Sequence, residues 1–230
     1  MASRTLRRAL SALVALVGGF AIGLFILGYS PLLAAACPSC FGFERAAGER
    51  AVHIEPNAGV DPALMIARYE EALVRVERFF GPLAHHPVVL VCVTPTCNRV
   101  MGDHGHRAMT YGHHVFYLGP HGHETAIVAH ELAHVALHQR IGLRATKRLP
   151  AWVDEGLATM VSEDPRYDLD PETCTPPHEA LPMTSPQWRR EAAEAKVSLY
   201  GLAGCAVARW FDAHPDATVD DLVAAFMPSE

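Results

Sequence analysis

The sequence predicts an α+β domain, with strands early and helices late, preceded by one apolar N-terminal helix. Three observations carry this. A charge-free run from Ala9 to Phe43 follows Arg4, Arg7 and Arg8. The β-branched runs "AVHIEP" and "PVVLVCV" stand in the first half of the remainder. Helical periodicity dominates the second half, and no segment repeats.

The N-terminal element comes first. Its most apolar part, "ALSALVALVGGFAIGLFILGY", has about the 20 residues a helix needs to cross a hydrocarbon core. The arginines before it orient the N-terminus to the cytoplasm and the rest outside. A single-pass anchor with the domain on the periplasmic side is therefore expected. The competing reading is a signal peptide cleaved at the small residues of "LLAAAC", leaving a periplasmic or secreted protein, but the apolar run is longer than such signals use. Lipidation at Cys37 is weaker still, because Ala34 stands where lipoprotein signals usually carry leucine. The expected division is residues 1–36 as anchor or signal, 37–51 as linker, and 52–230 as the domain.

Charge and cysteines narrow the partners. The chain carries a net charge of −6; its first 36 residues hold three arginines and no acid, so the remainder carries −9. An acidic exported domain is a poor ligand for nucleic acid or anionic lipid faces. The cysteines are Cys37, Cys40, Cys92, Cys97, Cys174 and Cys205, and an even number outside the cytoplasm favours disulfides. Cys92 and Cys97 flank "VTPT", a short proline-containing turn, and form the first expected bridge. "CPSC" reads as a local staple, since no strand-helix-strand pattern surrounds it to make a redox pair. Cys174 and Cys205 are left to pair or stay buried.

In the domain, "AVHIEP" is a strand. "DPALMIARYEEALVRVERFFG" is a helix from 61 to 81: Asp61 caps it, Pro62 takes the first turn and Gly81 ends it. Leu64, Ile66, Leu73, Val76 and Phe80 form its apolar face. "PVVLVCV" is a buried strand. Residues 102–123 hold six histidines among glycines, with "HVFYL" as a strand inside them. A helix then runs to about Arg140, with Gly142 as its stop. Pro150 opens the next helix, a proline-rich loop follows to Pro186, and "SLYGLAGCAVARWFDAH" and "TVDDLVAAFM" are the closing helices.

The chemistry centres on "ETAIVAHELAHVALHQR". Residues four apart share a helix face, so His130 and His134 can reach one metal ion, with Glu131 beside them. Ile127, Val128, Leu132 and Val135 form an apolar stripe that would pack in the core while the histidines face a cleft. Fourteen histidines make a chance pentad conceivable, but the helical setting argues against core or surface histidines. A catalytic zinc needs three protein ligands and one open position. A His-x-x-Gly-x-x-His continuation is excluded by Leu137 and Arg140. The other common solution is a glutamate on a following helix, and "LPAWVDEGLATMVSED" supplies Glu155, with Asp154 as its neighbouring rival. Gly156 would let the backbones approach closely, and Trp152, Leu157 and Val161 would anchor that helix.

"HELAH" followed by "LPAWVDEGLA" resembles the gluzincin branch of zinc metallopeptidases, especially the bacterial peptidase-MA-like domains. The resemblance spans roughly residues 87–226, although only the two motifs are specific. It implies a zincin-like domain with a small sheet, an active-site helix and a helical C-terminal part. It implies Zn2+ held by His130, His134 and Glu155, with Glu131 as general base, acting on a peptide or protein substrate. Strand 114–118 precedes the motif helix and could pair with an extended substrate. Tyr200, opening a helix after the proline-rich loop, is a candidate oxyanion donor, or else a core tyrosine.

Other residues carry weaker signals. His138 lies one turn beyond His134 and suits a supporting role. Asp103, His104, His106, His113, His114, His121 and His123 read as an accessory metal site or, better, a solvated glycine-rich loop. Arg166 and Tyr167 in "EDPRYD" resemble a recurring family segment. Two functions compete: a membrane-anchored peptidase and a zinc-stabilised scaffold that binds partners without cleaving them. Retention of Glu131 favours the enzyme. An intramembrane protease is excluded, because "HELAH" lies far from the membrane-length run.

Overall fold

The computed structural model describes residues 2–26, 29–48, 50–56, 59–102, 105–194 and 198–228. The elements in order are α1 (Ala2–Ile26), α2 (Ser30–Ala36), a 3-10 turn (Pro38–Phe41), β1 (Glu44–Arg45), β2 (Val52–Ile54), α3 (Pro62–Phe80), β3 (Val88–Val91), α4 (Pro95–Val100), β4 (Ala108–Tyr111), β5 (Val115–Leu118), α5 (Thr125–Thr146), α6 (Ala151–Ser162), α7 (Ser185–Glu194), α8 (Leu199–Ala213) and α9 (Val219–Phe226). The α+β class holds, with strands early and helices late.

The sheet runs β1-β2-β3-β5-β4. The central β2, β3 and β5 are parallel, and the antiparallel β1 and β4 form its edges. Alternation along the strands sorts side chains to two faces. Val89, Val91, Phe116 and Leu118 enter the main core with α3, α5, α6 and α9. Leu90, Val115 and Tyr117 enter a second core with Ala34 of α2, Phe43 and Met101. Within the segment expected as a linker, β1 extends the sheet and Phe43 is buried beneath it.

Helix α3 starts and stops where its signals stand. The Asp61 carboxylate accepts from Ala63 N at 2.9 Å, and Gly81 closes the last turn. Of its expected face, Leu73, Val76 and Phe80 are buried and Ile66 packs against the core, but Leu64 is exposed and Met65 and Tyr69 are buried beside the others. The "VTPT" turn is a helix start, with Thr94 Oγ1 accepting from Cys97 N at 3.2 Å to cap α4. Gly142 interrupts α5 at φ 77°, and a short turn continues beyond it to Thr146. β1, β4, α4 and α7 were not foreseen; all except α7 have six residues or fewer, too short for a periodic signature.

All three expected or possible disulfides form: Cys37–Cys40, Cys92–Cys97 and Cys174–Cys205. The apolar N-terminal run is helical in α1, with Leu6, Leu10, Leu13, Val14, Leu16 and Val17 exposed. Among the described residues, however, no helix is long and apolar enough to cross a membrane, so the expected membrane helix finds no support in the fold.

Candidate metal centre

Helix α5 is the central helix of the domain. Buried residues occupy almost its whole circumference from Ala126 to Leu137, including Glu131 and His134. The expected stripe of Ile127, Val128, Leu132 and Val135 is in the core, and burial extends beyond it to Glu131 and His134 because α3, α6 and the sheet cover α5 on several sides. Helix α6 returns against α5 and brings Glu155 to the two histidines.

Three ligand atoms form a closed triangle. His130 Nε2 lies 3.1 Å from His134 Nε2 and 3.3 Å from Glu155 Oε2, and the third edge, from His134 Nε2 to Glu155 Oε2, is 3.7 Å. Metal–ligand bonds of about 2.0–2.1 Å at tetrahedral angles put ligand atoms roughly 3.3 Å apart. The donor set of two imidazoles and a carboxylate suits zinc. The residues therefore fit the ion that the motif implies.

Asp154 occupies a different place. Its Oδ1 lies 2.7 Å from His134 Nδ1, a hydrogen-bond distance, so Nδ1–H donates to it and Nε2 is left at the triangle with His130 and Glu155. Asp154 Oδ2 is also 3.7 Å from His138 Nε2, and His138 Nδ1 donates to the carbonyl of Gly112 at 2.7 Å. Asp154, His134 and His138 thus form a second titratable group that orients the first. Burial disfavours the charged form of both acids. The neighbouring imidazoles outweigh it, holding Asp154 and Glu155 well below the usual carboxylate range. Burial likewise opposes the charged form of His134, but the Asp154 carboxylate overrides it and raises the imidazole well above its ordinary value.

Glu131 turns toward the sheet. Thr110 Oγ1 on β4 donates to Glu131 Oε2 at 2.7 Å and lies 3.2 Å from the carbonyl of the same residue. Thr110 was missed in the sequence because β4 lies in the histidine- and glycine-rich stretch. The usable signal was a hairpin: "AMTY", a short turn containing Gly112, then "HVFYL". Because β4 is the edge and β5 lies between β3 and β4, strand 114–118 has both edges filled. The edge next to the motif helix belongs to β4.

Tyr200 stands in the first turn of α8, its ring 5.8 Å from that of His130 and 5.2 Å from that of Trp188. Burial, reinforced by Glu155, pushes its hydroxyl above the ordinary tyrosine value, so it stays protonated. Gly156 is where a close approach occurs, but the partner is α8 rather than α5: an added Cβ would stand 2.5 Å from the carbonyl oxygen of Ala203. Arg166 pairs with the buried Asp164 just after α6, and its guanidinium lies 5.5 Å from the centroid of the Tyr167 ring.

The histidine-rich stretch is divided. His123 Nε2 is 2.9 Å from Cys92 O and fastens the approach to α5. His121 is exposed. His113 and His114 sit in the β4–β5 turn, near His85. Asp103 and His104 lie outside the described residues. Comparison of the chain with protein-family models, curated proteins and solved structures found no match.

Proposed function

We propose that this protein is an exported zinc-dependent peptidase with a zincin-like, gluzincin-type domain. The observation that carries the proposal is the triangle of His130, His134 and Glu155, with Glu131 next in sequence and held by a hydrogen bond from Thr110. Three disulfides support an oxidising compartment, reached through the apolar N-terminal segment as anchor or signal.

Zinc at such a centre supplies a water of pKa about 7 and a Lewis acid for a carbonyl. His130, His134 and Glu155 are the residues that would hold it. Glu131, as general base, takes the proton of the attacking water and returns it to the leaving amine as the peptide bond breaks. Thr110 keeps that carboxylate in one orientation. Tyr200, whose ring lies 5.8 Å from that of His130, would donate from its protonated hydroxyl to the oxygen that gains charge during attack. The outer edge of β4 offers backbone groups to an extended peptide, which would join the sheet beside the centre.

The test is zinc analysis of the full chain combined with cleavage of a peptide library, with and without a chelator. Glu131→Gln is nearly isosteric and should keep zinc while losing almost all hydrolysis. A variant that cleaves at the wild-type rate would refute the base assignment. Zinc binding with no cleavage of any library peptide by wild type would favour a partner-binding scaffold.

A further inference from the structure

A second group of histidines lies outside this centre. His85 comes from the loop between α3 and β3, and His113 and His114 come from the β4–β5 turn. Each offers a ring nitrogen, and these nitrogens all lie within 4.8 Å of one another. The His113 and His114 rings are 3.9 Å apart, and His85 stacks on His114 at 4.8 Å. His85 Nε2 and His113 Nδ1 are buried without a hydrogen-bond partner. Buried polar nitrogens normally find one, so two orphans in one cluster point to something that completes them.

The backbone holds both halves in place. Gln139 on α5 donates to His85 O at 2.8 Å and accepts from Ala84 N at 2.9 Å. The preceding residue, His138, fixes Gly112 O, and Val88 N donates to His114 O at 2.8 Å. Two consecutive residues of the motif helix therefore position both loops. Tetrahedral coordination needs nitrogens roughly 3.3 Å apart, so nitrogens within 4.8 Å of one another would have to close by at most about 1.5 Å.

We propose that His85, His113 and His114 bind one divalent transition-metal ion of the zinc–copper class, separate from the centre on α5. Three imidazoles, without thiolate or carboxylate, select borderline ions over calcium or magnesium. The exposed edge at His114 leaves a position for water. The bound ion staples the β4–β5 turn to the loop before β3, and so steadies β4, the strand that carries Thr110.

The experiment uses the full chain, stripped with a chelator and titrated with Zn2+. The His85→Ala/His114→Ala double variant should bind one equivalent fewer than its parent. His85→Ala alone should weaken that equivalent by about tenfold or more, at least the loss seen when a supporting residue is removed. In a His130→Ala/His134→Ala background, Cu2+ should show nitrogen superhyperfine splitting in its electron paramagnetic resonance spectrum, and adding the His85 and His114 substitutions should abolish it. Circular dichroism of each variant checks the fold. Unchanged stoichiometry in folded His85→Ala/His114→Ala protein overturns the proposal. The outcome is independent of the α5 centre, whose failure would appear only as unchanged binding in His130→Ala/His134→Ala.

Discussion

Replacing Asp154 by asparagine separates ligand from support at the α5 centre. The change keeps the shape of the side chain and removes its charge. Asp154 makes one short charge-assisted contact, 2.7 Å to His134 Nδ1, and one longer contact, 3.7 Å to His138 Nε2. A hydrogen bond to a charged group is worth about 1.5–3 kcal/mol. The proton on Nδ1 becomes more acidic when Nε2 binds a cation, so the carboxylate favours the metal-bound state. Asp154→Asn should then weaken zinc binding by about 10–100-fold, or about 1.4–2.7 kcal/mol. Glu155→Gln removes one of three ligands and should cost more. The assay is competition for Zn2+ against a chelator of known affinity, with circular dichroism to check folding. If Asp154→Asn loses as much affinity as Glu155→Gln, Asp154 is itself a ligand and the triangle has been misread. If it loses none, the hydrogen bond does not support the metal.

Three further outcomes follow from the same geometry. Tyr200→Phe should lower kcat by about a hundredfold or more while zinc content and Tm stay close to wild type; lower Tm with unchanged turnover would make Tyr200 a core residue. Gly156→Ala forces a methyl against the backbone of Ala203, which should cost about 1–3 kcal/mol and lower Tm by roughly 2–12 °C for a chain of this size; an unchanged melt would mean α6 and α8 separate freely. Glu55 accepts from Val93 N, Thr94 N and Thr94 Oγ1, and although burial opposes its charge, these bonds hold its carboxyl below the ordinary value. Its contribution should be complete above the unfolded pKa of about 4.3 and lost as pH falls through the folded value. Urea melts of wild type and Glu55→Gln should therefore differ at neutral pH and converge in acid, and a gap that widens in acid would contradict the assignment.

Much was legible in the sequence wherever the signal is local. The pentad on α5 follows from four-residue spacing, since His130 and His134 must share a helix face. The ends of α3 follow from Asp61, Pro62 and Gly81, each acting on backbone groups within one turn. Cys92 and Cys97 lie five residues apart, close enough that one turn brings them together. The α+β order is likewise read from runs that each specify their own backbone.

What tertiary structure decided depends on residues distant in sequence. Asp154 and Glu155 are neighbours with the same chemistry, and only the rotation of α6 against α5 sends one to His134 Nδ1 and the other to the ligand triangle. Thr110 reaches Glu131 across 21 residues because β4 takes the sheet edge. Gly156 answers to α8 rather than α5, and Cys174 finds Cys205 across 31 residues, only after the proline-rich loop has returned. His85 meets His113 and His114 because Gln139 and His138 hold both loops. Local propensity fixes the angles within each element, but packing alone sets the distances between them. Coordination and proton transfer depend on those distances to within tenths of an ångström.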